Sequence, residues 1–323
     1  MAGIAGILDT TVSSRHAELI ARARSMSEQA PGGLLLRTDA VADESAGIAL
    51  AATGLTEPDD PARLTISVRS ESGRFLIAIT GGNGPYTTLR KRLNRESDTS
   101  PIAAIIASSV ELLGLASTLT LCDGPLALAV WDRAERTLSI GRDRFGQESL
   151  FAAWAGSSFI FGSHLFSLVA HPQFRRDIDP GSIAQYLRFS TFHSPATAFT
   201  DAVRINPGSM VTIRTDQSAR SIAQISVAAI RDDAIAGINH RFSGSAAEAT
   251  DALNTALQTS IRESTADPTA PLGIFFSGGV DSTLIAAVAA GMNERPIHAI
   301  TAGFNETGYD ESSHARIIAN HLK

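Results

Sequence analysis

Hydrophobic residues in the first two-thirds of the chain come mostly in short runs, bounded by Gly, Asp, Asn or Ser. Runs of this length, apolar throughout or alternating with polar residues, predict β-strands. They lie at residues 3–8, 64–68, 74–80, 126–131 and 137–140. Residues 13–27 and 102–115 instead repeat their apolar positions at helical spacing, which predicts two helices. We therefore expect a domain that combines strand-rich sheets with helices.

The pattern changes after residue 177. Residues 178–182 (IDPGS) introduce a predicted helix that runs to Leu187, and the turn at 206–209 (NPGS) leads into a strand at 210–213. Residues 214–245 have mixed charge and no long periodic run, which predicts a connection between domains. We thus expect a first domain at 1–213, a linker at 214–245 and a second domain at 246–323.

The second domain begins with a clear helix start. Ser245 and Glu248 have the spacing of a capping box, and apolar residues follow on one helical face as far as Ile261. The remaining pattern predicts a strand, a helix stopped by Gly291, a second strand and a second helix. Their ranges are 272–276, 282–290, 296–302 and 310–322. This order predicts the start of a doubly wound parallel sheet.

Composition narrows the classes of partner. The chain has 323 residues, 44% of them hydrophobic, and a net charge of -6 with no cluster of Lys or Arg. This argues against nucleic acid or an anionic membrane as the main partner and favours small molecules or peptides. The chain has a single cysteine, which cannot form an internal disulfide. The N-terminus lacks the features of a signal peptide, and no later stretch approaches the ~20 apolar residues of a membrane span. We expect a cytoplasmic protein.

The stretch FFSGGVDST at residues 275–283 joins the predicted strand to the predicted helix. At such a corner, backbone N–H groups point outward and, with the helix dipole, favour an anion such as phosphate. Gly278 and Gly279 allow the backbone to approach that anion without a Cβ in the way. The hydroxyls of Ser277, Ser282 and Thr283 add hydrogen-bond donors.

Asp281 repels phosphate directly, so its place in this corner needs its own explanation. The carboxylate either holds Mg²⁺ against the phosphates or orients the loop by accepting N–H bonds. No Lys follows the glycines, which distinguishes the stretch from the GxxxxGK[ST] phosphate loop. A tight turn capped by Ser or Asp is the alternative that involves no ligand.

The longer pattern SGGVDS after an apolar strand resembles the pyrophosphate-binding loop of the ATP pyrophosphatase superfamily, whose members cleave ATP between the α and β phosphates. Within that superfamily the chain resembles asparagine synthetase and its relatives. Residues 299–304 (AITAGF) and 309–321 are similar to that family's second strand and following helix, where the adenine is held. The resemblance implies ATP and Mg²⁺ as ligands, with Asp281 at the metal and with Thr301 and Phe304 among the ATP-binding residues.

The first half resembles the same family's glutaminase domain. MAGIAGIL at residues 1–8 is similar to its start, usually Met-Cys-Gly-Ile-Ala-Gly. Further resemblances fall in family order at 123–132, 141–151, 161–163 and 203–208. Together they imply an Ntn-type αββα glutaminase-like domain followed by the start of an ATP pyrophosphatase domain. The similarity covers the chain almost from end to end.

The glutaminase pattern is broken at its reactive centre. Glutamine-dependent relatives use an N-terminal cysteine as nucleophile, and this chain has Ala2, whose methyl group cannot attack an amide. Cys122 lies deep in the chain beside Asp123 and is no candidate replacement. Residues 29–33 (QAPGG) replace the family's Arg-Gly-Pro-Asp run, and 80–82 (TGG) replace Asn-Gly-Glu. We predict a domain kept for structure and not for ammonia release.

The resemblance implies an ATP-dependent synthetase that adenylates a carboxylate, releases pyrophosphate and forms an amide bond. Without ammonia release, the amine belongs to the substrate itself, as in β-lactam synthetases and lasso-peptide macrolactam cyclases, or is free ammonia. We favour a lasso-peptide cyclase, for which a precursor-peptide-binding protein or a protease is an expected partner. The alternatives are an asparagine synthetase that uses ammonia, and a non-catalytic scaffold that binds a peptide or a partner protein.

Two further expectations concern the extent of the synthetase domain and a charged triplet. Residues 246–323 supply about two strand–helix units, without the family's later lysine near the phosphates or its carboxylate and amine sites. We expect a truncated version of a longer protein or a second polypeptide that completes the domain, and we expect residues 1–323 alone to bind ATP weakly without turnover.

Arg142, Asp143 and Arg144 follow a predicted strand, and we interpret them as a structural ion-pair cluster and not as a phosphate or carboxylate clamp.

Overall fold

A computed structural model describes most of the chain, namely residues 3–9, 11, 16–29, 36–55, 65–81, 86–96, 100–215, 220–228, 230–265, 271–292, 296–305 and 310–322. The chain divides into two compact units, Met1–Ala236 and Gly237–Lys323. Each unit is described by itself.

The first unit contains two six-stranded antiparallel sheets. Its strands are β1 Gly3–Asp9, β2 Leu36–Asp43, β3 Ile48–Leu55, β4 Ile66–Arg69, β5 Phe75–Gly81, β6 Leu126–Asp132, β7 Thr137–Arg142, β8 Phe151–Ala155, β9 Ser158–Gly162, β10 Ala202–Arg204, β11 Ser209–Arg214 and β12 Gln224–Ser226. The first sheet has the order β10-β8-β9-β1-β3-β2, and the second has the order β12-β11-β7-β6-β5-β4.

Helices cover the outer faces of both sheets. They are α1 His16–Ser27, α2 Thr87–Arg92, α3 Ile102–Leu121, α4 Leu165–Val169 and α5 Pro180–Phe189, and α6 Ile230–Asn239 crosses the boundary between the units. Helices α1 and α4 pack on the first sheet, and α3 packs on the second. The layer order helix, sheet, sheet, helix confirms the predicted αββα architecture.

The central strands have two buried faces. In β6, Ala127, Ala129 and Trp131 point into the core between the sheets, while Leu126, Leu128 and Val130 belong to the core that includes α2 and α3. Successive side chains of a strand point to opposite sides, so one strand supplies both cores. This is why β6 is apolar from Leu126 to Trp131 and does not alternate with polar residues there.

The strands at 3–8, 74–80, 126–131 and 137–140 are confirmed within a residue or two. Strands β2, β3, β8 and β9 were not predicted as separate elements, and the segment expected to be a connection contains β12 and α6. Strand β12 pairs with β11 at the edge of the second sheet, so this part of the segment belongs to the first unit.

Helix α3 is longer than predicted and is interrupted. It continues to Leu121, but Gly114 has φ 79° and ψ 166°, which breaks the helical backbone. With 20 residues and a mean hydropathy of 1.8, α3 is long and apolar enough to cross a membrane, the one such helix in the described part of the chain. The expectation that no stretch approaches the length of a membrane span is therefore wrong. Core helices share these properties, and Ile105, Ile106 and Leu119 of α3 pack into the core beside the second sheet.

The triplet at 142–144 organises a loop, and one of its members forms an ion pair among the residues that the structure describes. The Asp143 carboxylate accepts hydrogen bonds from the backbone N–H groups of Leu126, Phe145, Gln147 and Glu148. Buried Arg142 donates to the carbonyls of Gly146 and Glu148, at 3.3 and 2.9 Å. Arg144 pairs with Asp233. The predicted ion-pair cluster is thus corrected to a loop held mainly by backbone hydrogen bonds.

The second unit contains α7 Ala246–Ser264, β13 Leu272–Phe275, α8 Val280–Met292, β14 Ile297–Ile300 and α9 Ser312–Leu322. The capping box is present: Ser245 Oγ accepts from Glu248 N–H, and the Glu248 carboxylate accepts from Ser245 N–H. Strands β13 and β14 are parallel, as predicted for the start of a doubly wound sheet. Helix α8 runs through Gly291, which does not stop it.

Candidate functional site

The two parallel strands of the second unit end side by side. Phe275 is in register with Ile300, and one residue further Phe276 N–H donates to the Ile300 carbonyl at 2.8 Å. The Thr301 hydroxyl donates back to the Phe276 carbonyl at 2.5 Å. The carboxyl ends of parallel strands are the usual place for a ligand in open α/β sheets.

A pocket of about 420 Å³ opens at these strand ends. This volume lies within the range of small-molecule sites, ~300–1,000 Å³. Its lining residues are Phe275, Phe276, Ser277, Ile300, Thr301, Ala302, Phe304 and Glu311. Apolar side chains predominate, and Ser277, Thr301 and Glu311 supply the polar groups.

The loop after β13 depends on Gly278. This residue has φ 80°, in the left-handed region that favours glycine, and it is buried. A Cβ at this position would lie 3.0 Å from Ala315 Cα and 3.1 Å from His314 Cδ2. The missing side chain therefore lets the loop pack directly against α9.

Hydroxyl groups surround the first turn of α8. Ser277 Oγ lies 3.1 Å from Ser282 Oγ and accepts a hydrogen bond from Gly279 N–H at 3.2 Å. Thr283 N–H donates to the Gly279 carbonyl, which begins the helix. Thr283 Oγ1 is buried without a hydrogen-bond partner in the described structure. Buried hydroxyls are normally paired, so an unpaired one beside this loop is unusual.

Asp281 is exposed in the first turn of α8, and within the described chain its carboxylate has no hydrogen-bond or ion-pair partner. The described residues contain no cluster of three or more His, Cys, Asp or Glu side chains that would hold a metal by themselves. Mg²⁺ is commonly held by one or two carboxylates together with substrate phosphates and water. A single unpartnered carboxylate in the first turn of a helix fits Mg²⁺ that arrives with a nucleotide.

A second loop positions Phe304. Asp310 accepts hydrogen bonds from Ser312 Oγ and N–H at 2.9 and 3.1 Å, and from Phe304 N–H at 3.4 Å. The Ser312 hydroxyl, more than the backbone N–H groups, holds the pKa of Asp310 below its usual value. A deprotonated Asp310 thus accepts from the N–H of Ser312 at the start of α9 and ties Phe304, in the loop after β14, to this helix.

The structure brings three of the predicted residues, Ser277, Thr301 and Phe304, to the pocket. The others, Gly278, Gly279, Asp281, Ser282 and Thr283, lie in the adjoining loop and helix start. Sequence reasoning missed Glu311 as a pocket residue. Its position at the start of the helix after the second strand was the available signal, because such helix starts lie at the same edge of the sheet as the strand ends.

The glutaminase-like centre is described only in part. Ala2, residues 30–33 and Gly82 lie outside the described residues, while Gln29, Thr80 and Gly81 lie within them. Cys122 is buried, its Sγ donates to the Gly124 carbonyl at 3.2 Å, and burial raises its pKa to about 12. A thiol with so high a pKa is a poor nucleophile, which accords with the view that Cys122 does not replace the missing cysteine.

Sequence comparisons agree with the architecture. Residues 1–223 match the glutamine amidotransferase domain family, and residues 252–323 match the asparagine synthase family. Glutamine-hydrolysing asparagine synthetase 3 of Bacillus subtilis is 26% identical over 266 residues, covering 73% of this chain and 39% of the relative. A putative glutamine-hydrolysing asparagine synthetase of Mycobacterium bovis is 32% identical over 192 residues, covering 58% and 28%. The chain thus spans well under half the length of these relatives.

Among solved structures, glutamine phosphoribosylpyrophosphate amidotransferase from B. subtilis aligns with 95% of this chain and 67% of its own, at 11% identity and a TM-score of 0.40. A glutamine aminotransferase class-II domain protein from Silicibacter pomeroyi aligns with 71% of this chain and 100% of its own, at a TM-score of 0.33. The family assignment depends on the sequence matches. With an amidotransferase-type domain over residues 1–223 and a synthetase-type segment over 252–323, the chain belongs to the asparagine synthetase family.

Proposed function

We propose that this chain is part of an ATP-dependent carbon–nitrogen ligase that activates a carboxylate as its adenylate, releases pyrophosphate and joins the carboxylate to an amine. One observation carries the proposal: the SGGVDS loop starts a helix at the end of two parallel strands, beside a small-molecule pocket. The family membership supports ATP as the nucleotide.

The loop residues would bind and orient the phosphates. The N–H groups at the start of α8 and the hydroxyls of Ser277, Ser282 and Thr283 supply donors where negative charge develops as pyrophosphate leaves. Asp281 would hold Mg²⁺, which neutralises charge on the phosphate oxygens when it is bound. Thr301 and Phe304, with the apolar pocket wall, would receive the adenine.

The amine is proposed to come from the substrate itself. The relatives named above are glutamine-hydrolysing enzymes, and this chain has Ala2 where their family has the cysteine nucleophile. A substrate that carries both carboxylate and amine turns amide formation into an intramolecular step, for which orientation alone supplies a large part of the rate. A peptide whose Asp or Glu side chain is joined to its own N-terminal amine, the reaction of a lasso-peptide cyclase, meets this requirement. The cytoplasmic location of the protein stays a prediction.

Nucleotide binding is tested on the 323-residue chain by thermal melting with ATP and Mg²⁺. A ligand at 100 times its Kd adds ~2.7 kcal/mol of stability, so even weak binding is measurable at high nucleotide concentration. We expect Asp281→Asn to remove the Mg²⁺-dependent part of the stabilisation, while Asp251→Asn, on exposed α7, leaves it unchanged. No stabilisation by ATP and Mg²⁺ in the wild-type chain would favour the non-catalytic scaffold.

The reaction is tested by ATP–pyrophosphate exchange on the longest natural form of the protein. Three donors are compared: linear peptides with an internal Asp or Glu, aspartate with ammonia, and aspartate with glutamine. We expect exchange with the peptides alone. Exchange with aspartate and ammonia would instead identify an asparagine synthetase that takes free ammonia.

A further inference from the structure

The first unit has a pocket that the proposed reaction does not use. It has a volume of about 470 Å³ and lies between the end of α2, the second half of α3 and the residue that follows β12. Its lining residues are Arg92, Leu113, Ala116, Ser117, Thr120, Leu121 and Val227. The volume falls in the range of small-molecule sites.

The break in α3 shapes this pocket. After Gly114, with its φ of 79°, Leu115 and Leu119 of the second helical segment are buried in the core. Ala116 and Ser117 lie on its exposed face. Their side chains are small, so they leave open the space that larger residues would fill.

One wall of the pocket is fixed by a hydrogen bond. The Thr120 hydroxyl lies 2.9 Å from the Ala116 carbonyl and 3.1 Å from the Val227 carbonyl, so these two acceptors share its single proton. Val227 is thereby held beside α3, although the two are 107 residues apart in the sequence. The apolar wall formed by Leu113, Leu121 and Val227 is therefore a built feature of the unit.

The polar groups of the pocket are a cation and a hydroxyl. Arg92 ends α2, is exposed and, in the part of the chain that the structure describes, has neither an ion-pair nor a hydrogen-bond partner. Ser117 is likewise exposed and without such a partner there. In a chain with a net charge of -6, an unpaired guanidinium at an apolar pocket is the natural complement of a carboxylate, which its planar fork binds through two parallel hydrogen bonds.

We propose that this pocket binds a small carboxylate that carries an apolar chain or ring. The carboxylate lies on Arg92 with Ser117 as a further donor, and the apolar body lies against Leu113, Leu121 and Val227. A ligand with a cationic head is repelled by Arg92, and a neutral alcohol lacks the charge-assisted bond. All the lining residues belong to the first unit, so the proposal does not depend on the nucleotide-binding function.

The test uses the ¹⁵N-labelled 323-residue chain and three probes of equal chain length: octanoate, octanol and octylamine. We expect octanoate to shift the amide signals of residues 113–121 and of Arg92 saturably, with octanol weaker and octylamine without effect. Arg92→Gln should weaken octanoate binding about tenfold, as for loss of a charged hydrogen-bond pair. Lys91→Gln, which removes a neighbouring exposed cation that does not line the pocket, is the matched control and should bind normally.

A second variant tests the location independently of charge. Ala116→Phe fills the pocket from an exposed helix face and should abolish the octanoate-induced shifts while the rest of the spectrum stays unchanged. Equal binding of octylamine and octanoate, undiminished binding by Arg92→Gln, or shifts confined to other parts of the chain would each overturn the proposal.

Discussion

The hydroxyl of Thr301 donates to the main-chain carbonyl of Phe276 at 2.5 Å, so the residue after β14 holds the residue that leads into the SGGVDS loop. Thr301→Val removes this donor and leaves a carbonyl unpaired, whereas Thr301→Ser retains it. We expect the valine variant to lower the local opening free energy of residues 272–283 by ~0.5–1.5 kcal/mol, measured by hydrogen exchange. Equal protection in the valine and serine variants would show that the bond is unimportant.

The two loop glycines should differ sharply in their response to alanine. Gly278 has φ 80°, and an added Cβ would meet the backbone of α9 at 3.0 Å. At Gly279, the described residues place the Ser277 hydroxyl 3.3 Å from an added Cβ, and that side chain can rotate away. We expect Gly278→Ala to destabilise the second unit by about 2 kcal/mol or more and Gly279→Ala by less than ~1 kcal/mol, read from hydrogen exchange of α8 and α9. The reverse order would contradict this account of the loop.

Cys122 should be chemically inert in the folded chain. Its pKa rises from 9.0 to about 12 through burial, which leaves about a thousandfold less thiolate at pH 8 than a free thiol has. We expect Ellman's reagent to label Cys122 promptly in denaturant and only very slowly in native buffer. Rapid labelling of the native protein would show that the thiol is accessible and would reopen its role.

His171 should make the first unit less stable in mild acid. The imidazole is buried, its Nδ1 accepts from Gln173 N–H, and its Nε2 has no partner in the described structure. Burial, reinforced by the charge of Arg22 and opposed by Asp9, lowers its pKa. Below pH ~6.5 the His171 side chain binds a proton more readily in the unfolded chain than in the folded chain.

The stability contributed by neutral His171 is therefore complete above pH ~6.5 and declines as the pH falls towards 5, at most by ~1.4 kcal/mol per pH unit. Urea unfolding of wild type and His171→Asn between pH 7 and 5 isolates this effect, since asparagine keeps an acceptor for Gln173 and does not titrate. We expect a flatter profile in the variant. Parallel profiles would assign the acid sensitivity to other groups.

Restoring the nucleophile should not restore glutaminase activity. Ala2→Cys supplies a thiol at the family's reactive position, but residues 29–33 and 80–82 still differ from the glutamine-binding pattern. We expect no ammonia release from glutamine above that of the wild-type chain, measured with a coupled ammonia assay. Clear release by the variant would mean that the pocket has kept its binding function.

Local pattern and turn chemistry predicted much of this architecture, and the exceptions have physical reasons. The capping box at Ser245 and the strand at 126–131 are strong local signals, and both appear in the structure. Strand β3, with the sequence IALAATGL, has a composition that also suits a helix. Its conformation is set by hydrogen bonding to β1 and β2 on either side, which no short window of sequence contains.

In the candidate site, too, the features set by local sequence were predicted and those set by contacts between distant segments were not. The SGGVDS stretch is continuous in sequence, so its glycines and hydroxyls were found by motif. Glu311 and the bond between Thr301 and Phe276 depend on the pairing of β13 with β14, which brings together segments 25 or more residues apart. The repeat of apolar positions predicted α3 only as far as residue 115, whereas the helix continues past the break at Gly114 to Leu121 and packs on the second sheet.

The two-faced strands of the first unit have a consequence for how its gene can change. Alternate residues of β6 pack into different cores, so a shift of one residue along the strand would move every following side chain to the opposite face. Inserting one residue between Leu126 and Trp131 would send Trp131 to the side of α3 and damage both cores at once, while a single substitution damages one. Length changes in this unit should therefore be confined to its turns, even where the amino acids within the strands vary.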